Sequence, residues 1–227
     1  GKAKQVYKTE KEDEYLIHYK DDATAGNGVK HDKFEGKGVL NNTISCIIFD
    51  MLEEAGIKTH MIKKLNERDI LVKKVDIFPL EVIIRNITTG SFCRRLGAPE
   101  GIVLDEPIFE MSYKNDEYGD PLINDDHAVA LKLATREELA YIKETTLKIN
   151  ELLKEFFLSM NLKLVDFKIE FGKTADGTIL LADEISPDSC RLWDVNTNQK
   201  YDKDVFRQDI GDLIETYKAV LARMQNK

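Results

Sequence analysis

The dipeptide Asp176-Gly177 constrains this chain more than any other feature. An Asp-Gly step between two strand-like runs is the strongest short-range signal for a β-hairpin, because both residues tolerate the positive φ that a two-residue turn demands. Leu162–Phe171 enters the turn and Thr178–Ile185 leaves it. Along the incoming run Val165, Phe167, Ile169 and Phe171 alternate with Asp166, Lys168 and Glu170, the pattern of a strand buried on one face. Such an antiparallel pair excludes an all-helical fold, and it is not the strand–helix–strand alternation of a parallel sheet.

The rest of the chain supplies helices to cover the sheet. Ile44, Ile47, Ile48, Met51, Leu52 and Ala55 recur at helical spacing and predict a helix from Val39 to Ala55, with Gly56 at the left-handed cap position. The capping box Thr135-Arg136-Glu137-Glu138 announces a longer helix, whose stripe Leu139, Ile142, Ile149, Leu153, Phe156 and Met160 is interrupted at Thr146. A last helix is expected from about Asp204, with Phe206, Ile210, Leu213, Tyr217, Leu221 and Met224 on one face. Strands are predicted at Gln5–Tyr7, Tyr15–Tyr19, Met61–Leu65, Ile70–Val75 and Leu80–Ile87, with a turn at Ala25-Gly26-Asn27-Gly28. Pro79 cannot join the middle of a ladder. It divides the 227 residues into a β-rich N-terminal lobe, 1–78, and a larger lobe, 79–227. The expected fold class is α+β, in two closely packed lobes.

Thirty-three Lys and Arg against 41 Asp and Glu leave a formal charge of −8. That speaks against nucleic-acid and anionic-membrane partners, and any anionic ligand must be held by a local cluster of cations. No apolar run approaches the roughly 18 residues of a membrane span. Cys46, Cys93 and Cys190 are odd in number, form no CxxC pair and suit a reducing cytoplasm. The chain opens on Gly1 rather than Met, so a few residues of the natural protein are expected to precede it.

With Asp176-Gly177 as a two-residue loop, Ala175 pairs with Thr178 and, counting back, Glu170 lies opposite Asp183. Two carboxylates about 5 Å apart at an effective dielectric of about 20 repel by roughly 3 kcal/mol. A hard divalent cation such as Mg²⁺, held by one or two carboxylates together with substrate phosphates, would relieve that repulsion. So would a shared proton, a diagonal ion pair from Lys168, or exposure to water. Downstream, Asp183 to Asp194 gathers acids, hydroxyls, Arg191 and the only Trp beyond the strand end, either as a functional loop or as a surface turn bonding its own backbone.

The usual nucleotide fingerprints fail. Gly36-Lys37-Gly38 lacks the Ser or Thr of a P-loop, and Gly26-Asn27-Gly28 runs into His31 where a dinucleotide loop needs a third glycine. Lys2 and Lys4, one residue apart where a strand begins, aim both ammonium groups to one side, as a solvated strand end or as an anion site. Arg85, followed by Asn86, Thr88, Thr89, Gly90 and Ser91 and then by Arg94 and Arg95, makes either a phosphate cradle or a capped turn. No cysteine has a His within a few residues, no GxSxG elbow occurs, and His18, His31, His60 and His127 lack metal-ligand spacing.

Taken in order, six segments resemble the SAICAR synthetase (phosphoribosylaminoimidazole-succinocarboxamide synthase) family of purine biosynthesis. They are Gly1-Lys2-Ala3-Lys4-Gln5-Val6-Tyr7, Lys20-Asp21-Asp22-Ala23-Thr24-Ala25-Gly26, Lys37-Gly38-Val39, Glu81-Val82-Ile83-Ile84-Arg85-Asn86 with Gly90-Ser91, Val165-Asp166-Phe167-Lys168-Ile169-Glu170-Phe171-Gly172, and Asp183-Glu184 through Trp193-Asp194. The resemblance spans essentially the entire chain. It implies an ATP-grasp-like fold in which a small N-terminal β lobe clamps ATP against a larger α+β lobe without a P-loop. It implies an enzyme that converts ATP, L-aspartate and carboxyaminoimidazole ribonucleotide (CAIR) into SAICAR, ADP and phosphate; a homo-oligomer, in the first place a homodimer, is the expected assembly.

Carried over position by position, the resemblance implies that Lys2 and Lys4 meet the nucleotide phosphates, with Ala3 and Val6 beside the nucleotide and Lys114 a further ATP-side residue. Glu170 and Asp183 match the Mg-ATP acids. Arg85 and Ser91 would grip the ribonucleotide phosphate, while Asp166, Lys168, Asp188 and Arg191 would line the imidazole carboxylate and the aspartate pocket. Lys4, Asp166, Lys168 and Arg191 are expected to act in catalysis, and Cys190 is given no chemistry. A carboxylate is a poor electrophile, so an acyl phosphate made at the expense of ATP is the expected intermediate. Another ATP-grasp ligase or kinase, or a non-catalytic nucleotide-sensing module, are the alternative readings.

Overall fold

The computed structural model describes residues 2–226; Gly1, the first residue of the leading motif, lies outside them. In chain order the elements are β1 (Lys4–Lys8), β2 (Glu14–Tyr19), β3 (Asp22–Ala25), β4 (Lys30–Lys33), α1 (Lys37–Glu54), β5 (Met61–Lys64), β6 (Asp69–Lys73), β7 (Asp76–Ile77), β8 (Leu80–Ile87), α2 (Ser91–Leu96), β9 (Val103–Tyr113), β10 (Leu122–Ile123), α3 (Asp125–Ala130), α4 (Arg136–Leu158), β11 (Leu162–Lys173), β12 (Ile179–Ala182), β13 (Cys190–Asp194), α5 (Asp204–Arg207) and α6 (Leu213–Gln225). One sheet has the order β1-β2-β6-β5, and a second has β10-β9-β8-β11-β12 with β7 and β13 also on β11. The fold is mixed α+β, as expected.

At 12 residues, β11 is long enough to serve two partners on each edge. One edge pairs with β13 and then β12, the other with β8 and then β7. The chain between β12 and β13 is therefore expelled beside the middle of β11, next to Asp166, Lys168 and Glu170. Part of what reads as a loop in sequence, Cys190–Asp194, is instead a strand. A bulge between Leu164 and Asp166 resets the alternation of β11. Leu162 and Leu164 share the main core with Phe167, Ile169 and Phe171, whereas Val165 packs in a separate cluster with Ile87 and Trp193. The expectation that Val165 shares a face with Phe167 is corrected by that bulge.

The hairpin forms with a different register. Glu170 pairs with Ala182 rather than Asp183, because the turn is one residue longer than two. Gly177 N donates to Thr174 O at 3.0 Å, Thr174 N donates to Thr178 O at 2.9 Å, and Gly177 has φ 90°, a type I turn closed by a left-handed glycine. A one-residue slip alone would swap faces. Asp183 undoes the swap by leaving the strand at φ 58°.

The helices follow their caps. In the box at the start of α4, Thr135 Oγ1 accepts from Glu138 N and Glu138 Oε1 accepts from Thr135 N, at 3.1 and 2.9 Å. Buried Thr146 donates to Ile142 O at 2.6 Å, so the polar break in the stripe leaves its hydroxyl satisfied. Gly56 takes φ 94° after α1, as expected. The last helix is two helices, because Asp209 turns left-handed at φ 53° and Asp212 caps α6 by accepting from Glu215 N at 3.0 Å. Ile210, placed on the buried face in sequence, is 56% exposed. The strand β9, absent from the sequence expectations, carries Pro107, and β10 pairs only with Met111 and Ser112, which leaves the proline on an open edge.

One buried cluster draws from both sides of Pro79: Ile17, Ile70 and Val72 from the first sheet, Val82, Ile84 and Ile169 from the second, Ile44 and Phe49 from α1, and Leu139 and Leu153 from α4. Among the described residues no helix is long and apolar enough to cross a membrane.

Candidate active site

The period of two along a strand assembles a polar wall on the second sheet. Arg85 of β8 pairs with Asp166 of β11, which pairs with Arg191 of β13, so three neighbouring strands place these residues side by side. Arg85 reaches Glu110 from Nε (2.8 Å), Asp166 from Nη1 (3.2 Å) and Ser91 Oγ from Nη2 (3.0 Å). Lys168, two residues along β11, pairs with Glu81 at 3.1 Å. Arg85, Ser91, Asp166, Lys168, Asp188 and Arg191, the residues expected from sequence, all line one cavity of about 450 Å³.

A second cavity of about 260 Å³ lies further along the same strand, with Glu170 and Asp183 in its wall together with Lys4, Val6 and Lys114. Its apolar walls are Ile17 and Val72 of the first sheet and Val75 and Ile77 ahead of β8. Lys2 and Ala3 are not in its wall: Lys2 is exposed and reaches toward the turn at Gly28. Of the residues expected beside the nucleotide, Lys4, Val6 and Lys114 line this cavity, whereas Lys2 and Ala3 lie outside its wall.

The acids here are crowded, and the structure shows what relieves them. Burial, and then the charge of Asp183, push the Glu170 carboxyl up to about 7, against the opposing pull of Lys114 at 2.5 Å. Burial would raise Asp183 too, but the Lys4 charge and a hydrogen bond with Glu170 hold it below the usual carboxylate range. Lys4 sits 2.5 Å from Asp183 and 2.8 Å from Glu184; burial would lower its pKa, and the two carboxylates outweigh that and raise it well above the ordinary value. Lys4 against Asp183 and Lys114 against Glu170 therefore answer the repulsion, and Lys168 takes no part in it. Among the described residues no group of three or more His, Cys, Asp or Glu could by itself hold a metal ion. A divalent cation would draw its remaining ligands from a substrate.

The expelled segment is fixed from below by α1. Ser45 Oγ donates to Ile185 O and accepts from Ile185 N, at 2.9 and 3.0 Å. Lys37, 1% exposed, pairs with Asp188 at 2.5 Å, and Tyr217 donates to Asp188 at 2.6 Å. Burial would raise the Asp188 carboxyl, but Lys37 leads the groups that hold it low. Asp188 thus borders the arginine-lined cavity with its charge already matched. Buried His60, its pKa pushed down to about 4 by burial, donates its Nε2–H to Asp183 O at 3.1 Å. Sequence reasoning passed over Lys37, Glu81 and Arg207. Glu81 was within reach, since it shares the alternation of β8 with Arg85; Lys37 stands in a motif segment, but its partner Asp188 is distant in the chain, and Arg207 lies on a four-residue helix with no local signal.

Two anion-competent cavities thus adjoin on one strand, with Lys168 in one and Glu170 in the other. Such an arrangement can bring a nucleotide phosphate to an acceptor held by arginines. A family model described as SAICAR synthetase matches residues 1–224. The phosphoribosylaminoimidazole-succinocarboxamide synthase of Finegoldia magna is 66% identical over 225 residues, 99% of this chain and 97% of the relative. That of Caldanaerobacter subterraneus subsp. tengcongensis is 60% identical over 225 residues, 99% of this chain and 95% of the relative. Among solved structures, a SAICAR synthetase (Type-2) in complex with ADP superposes with a TM-score of 0.97 at 49% identity, covering 100% of this chain and 97% of that one. The synthase from Ehrlichia chaffeensis superposes with a TM-score of 0.97 at 45% identity, covering 99% and 96%.

Proposed function

Since the chain belongs to the SAICAR synthetase family, ligases of de novo purine biosynthesis, we propose that its two adjoining cavities are the sites of ATP and of CAIR and aspartate. The observation that carries this reading is the shared strand: Asp166, Lys168 and Glu170 of β11 lead from the arginine-lined cavity to the carboxylate-lined one. The ADP complex of a relative supports the nucleotide assignment. Residues 1–78 act as a nucleotide-clamping lobe and 79–227 as the lobe with the acids and the substrate site. This ATP-grasp-like arrangement is supported by a nucleotide cavity walled by Val6, Ile17 and Val72 on one side and Glu170 and Asp183 on the other. Three free thiols suit a reducing cytoplasm.

The chain's own groups account for the chemistry. Arg85 and Ser91 hold the ribonucleotide, and Lys168 and Arg191 hold its carboxylate in reach of the γ-phosphate. A carboxylate oxygen attacks phosphorus and ADP leaves; the aspartate amine then attacks the acyl carbon, loses a proton, and phosphate departs with one former carboxylate oxygen. Lys4 and Lys114 meet the phosphate chain. Glu170 and Asp183, an all-oxygen pair now facing Lys114 and Lys4, fit Mg²⁺, which would offset the repulsion between the attacking and transferring anions. ADP release measured with and without aspartate and CAIR tests the reading: another ligase or kinase would turn over without one of them, and a nucleotide sensor would bind ATP without turnover.

Substrate labelled with heavy oxygen in its carboxylate is expected to pass label to inorganic phosphate during turnover. Unlabelled phosphate, with amide formed and no exchange with water, would exclude the acyl phosphate. Arg85→Ala is expected to weaken CAIR binding about ten- to a hundred-fold, since a charge-assisted hydrogen bond is worth about 1.5–3 kcal/mol, and to leave ATP binding near normal. Equal losses for both ligands in calorimetric titration would make Arg85 structural.

A further inference from the structure

Behind the arginine-lined cavity lies a carboxylate that forms no part of its wall. Asp204, at the start of α5, is 2% exposed. Its Oδ2 accepts from Arg191 Nε and its Oδ1 from Arg207 Nη1, each at 2.8 Å. Both arginines line the cavity, and Asp204 does not. Arg191 also gives Nη1 to Asp166 at 3.1 Å. Its guanidinium lies flat against Gly90, where a Cβ would stand 2.8 Å from both Nη atoms, and Gly90 sits at φ 61°, ψ −137°, a conformation open in practice to glycine alone. Arg191 is thus held from three directions.

The carboxylate is itself anchored. Buried Asp202 accepts from Leu192 N and from Asp204 N, each at 2.8 Å, which ties the first turn of α5 to the strand that carries Arg191. Along the wall, arginines and acids alternate through Arg95–Glu110 (2.7 Å), Glu110–Arg85 (2.8 Å), Arg85–Asp166 (3.2 Å), Asp166–Arg191 (3.1 Å), Arg191–Asp204 (2.8 Å) and Asp204–Arg207 (2.8 Å). The series begins and ends on arginine, so one positive charge is in excess beside the cavity. Burial would raise the Asp204 carboxyl, but Arg191 and Arg207 hold it low, so it stays ionised between them.

We propose that Asp204 is a positioning residue: from behind, it keeps the guanidinium groups of Arg191 and Arg207 turned to the cavity, where their remaining N–H groups bind an oxyanion of the ribonucleotide. This rests on reading that cavity as the CAIR site. An acid that touches no substrate still sets affinity, because an unrestrained arginine must give up rotamer freedom each time it binds.

Calorimetric titration of CAIR and of Mg-ATP into the wild type, Asp204→Asn, Arg207→Gln, the double variant and Arg85→Ala tests the assignment. Asp204→Asn is expected to lose about ten-fold or more in CAIR affinity with ATP affinity within about two-fold. The double variant is expected to lose less than the product of the single losses, because both changes act on one guanidinium pair. Equal losses for the two ligands, or fully multiplicative single losses, would overturn the role of Asp204. Should Asp204→Asn melt below the assay temperature, Asp204→Glu keeps the charge but displaces it by a methylene; selective CAIR loss upholds the proposal and unchanged CAIR affinity overturns it. Arg85→Ala separates the two levels. If it loses CAIR and Asp204→Asn does not, only the positioning role falls; if Arg85→Ala keeps full CAIR affinity, the reading of the cavity falls with it.

Discussion

Glu170→Gln and Asp183→Asn are each expected to cut turnover by roughly 10²–10³-fold, the scale seen when one preorganised electrostatic group at a reacting centre is removed. Both side chains stand in the wall of the cavity proposed for the nucleotide, and the charge of Asp183 acts on Glu170. The apparent affinity for Mg²⁺ should fall with the rate, and steady-state kinetics across a Mg²⁺ titration measures both. Near-normal activity of either variant at limiting Mg²⁺ would remove these acids from the reaction. The fold should survive, for a reason that also sets the pH dependence. Burial and Asp183 raise the folded-state carboxyl of Glu170 to about 7, whereas an unfolded glutamate titrates near 4.3. Between those values the native state binds the extra proton, so stability falls as pH rises through the window and the penalty is complete above it. Glu170→Gln lacks that titration and can still accept from Lys114. Its melting temperature relative to wild type is therefore expected to rise between about pH 5 and pH 8; a difference that does not change with pH would mean Glu170 is ionised throughout.

Lys4→Met is expected to combine a loss of activity with the largest loss of stability. The ammonium lies between Asp183 and Glu184, with side chains 15%, 29% and 7% exposed. Removing it leaves buried Glu184 and part-buried Asp183 without their shared cation, and breaking one partner out of a buried pair costs up to about 3–5 kcal/mol. For a chain of this size that is roughly 6–20 °C in Tm. The sign with pH is opposite to that of Glu170. The folded-state pKa of Asp183 is depressed, so its stabilisation is present above the unfolded value and is lost as pH falls through the folded one. The gap between wild type and Lys4→Met should therefore be widest near neutral pH and narrow below about pH 4. Thermal melts at the two ends measure it. A gap that stays constant would mean that Lys4 contributes packing and not charge.

How much of this was legible beforehand depends on how far apart the deciding atoms lie in the chain. The capping box of α4 was readable because Thr135 and Glu138 answer each other within one turn. The alternation of β11 was readable except at its bulge, which arises from pairing with β13, a strand some two dozen residues on. The hairpin was readable and its register was not, because one additional turn residue moves Glu170 from Asp183 to Ala182. The two acids still meet, through the left-handed backbone of Asp183. The motif positions around Arg85, Asp166 and Arg191 were readable as a set from their resemblance to a family, and the register of three strands then set them side by side.

The sequence by itself determined many of the helices and strands, the mixed α+β class and the pool of charged residues from which a site for anions could be built, since these follow from periodicity, caps and motif order over short distances. Only the tertiary structure decided which of those charges are already matched and which face a ligand. Lys4, readable in sequence as a solvated strand end or an anion site, is held by two acids that lie 179 and 180 residues away. Lys37, part of a motif segment that fails as a P-loop, is the buried partner of Asp188. Asp204 carried no signal and holds two arginines from behind. Ion pairing acts through space with an energy set by distance and burial, and neither quantity exists until the strands have closed on one another.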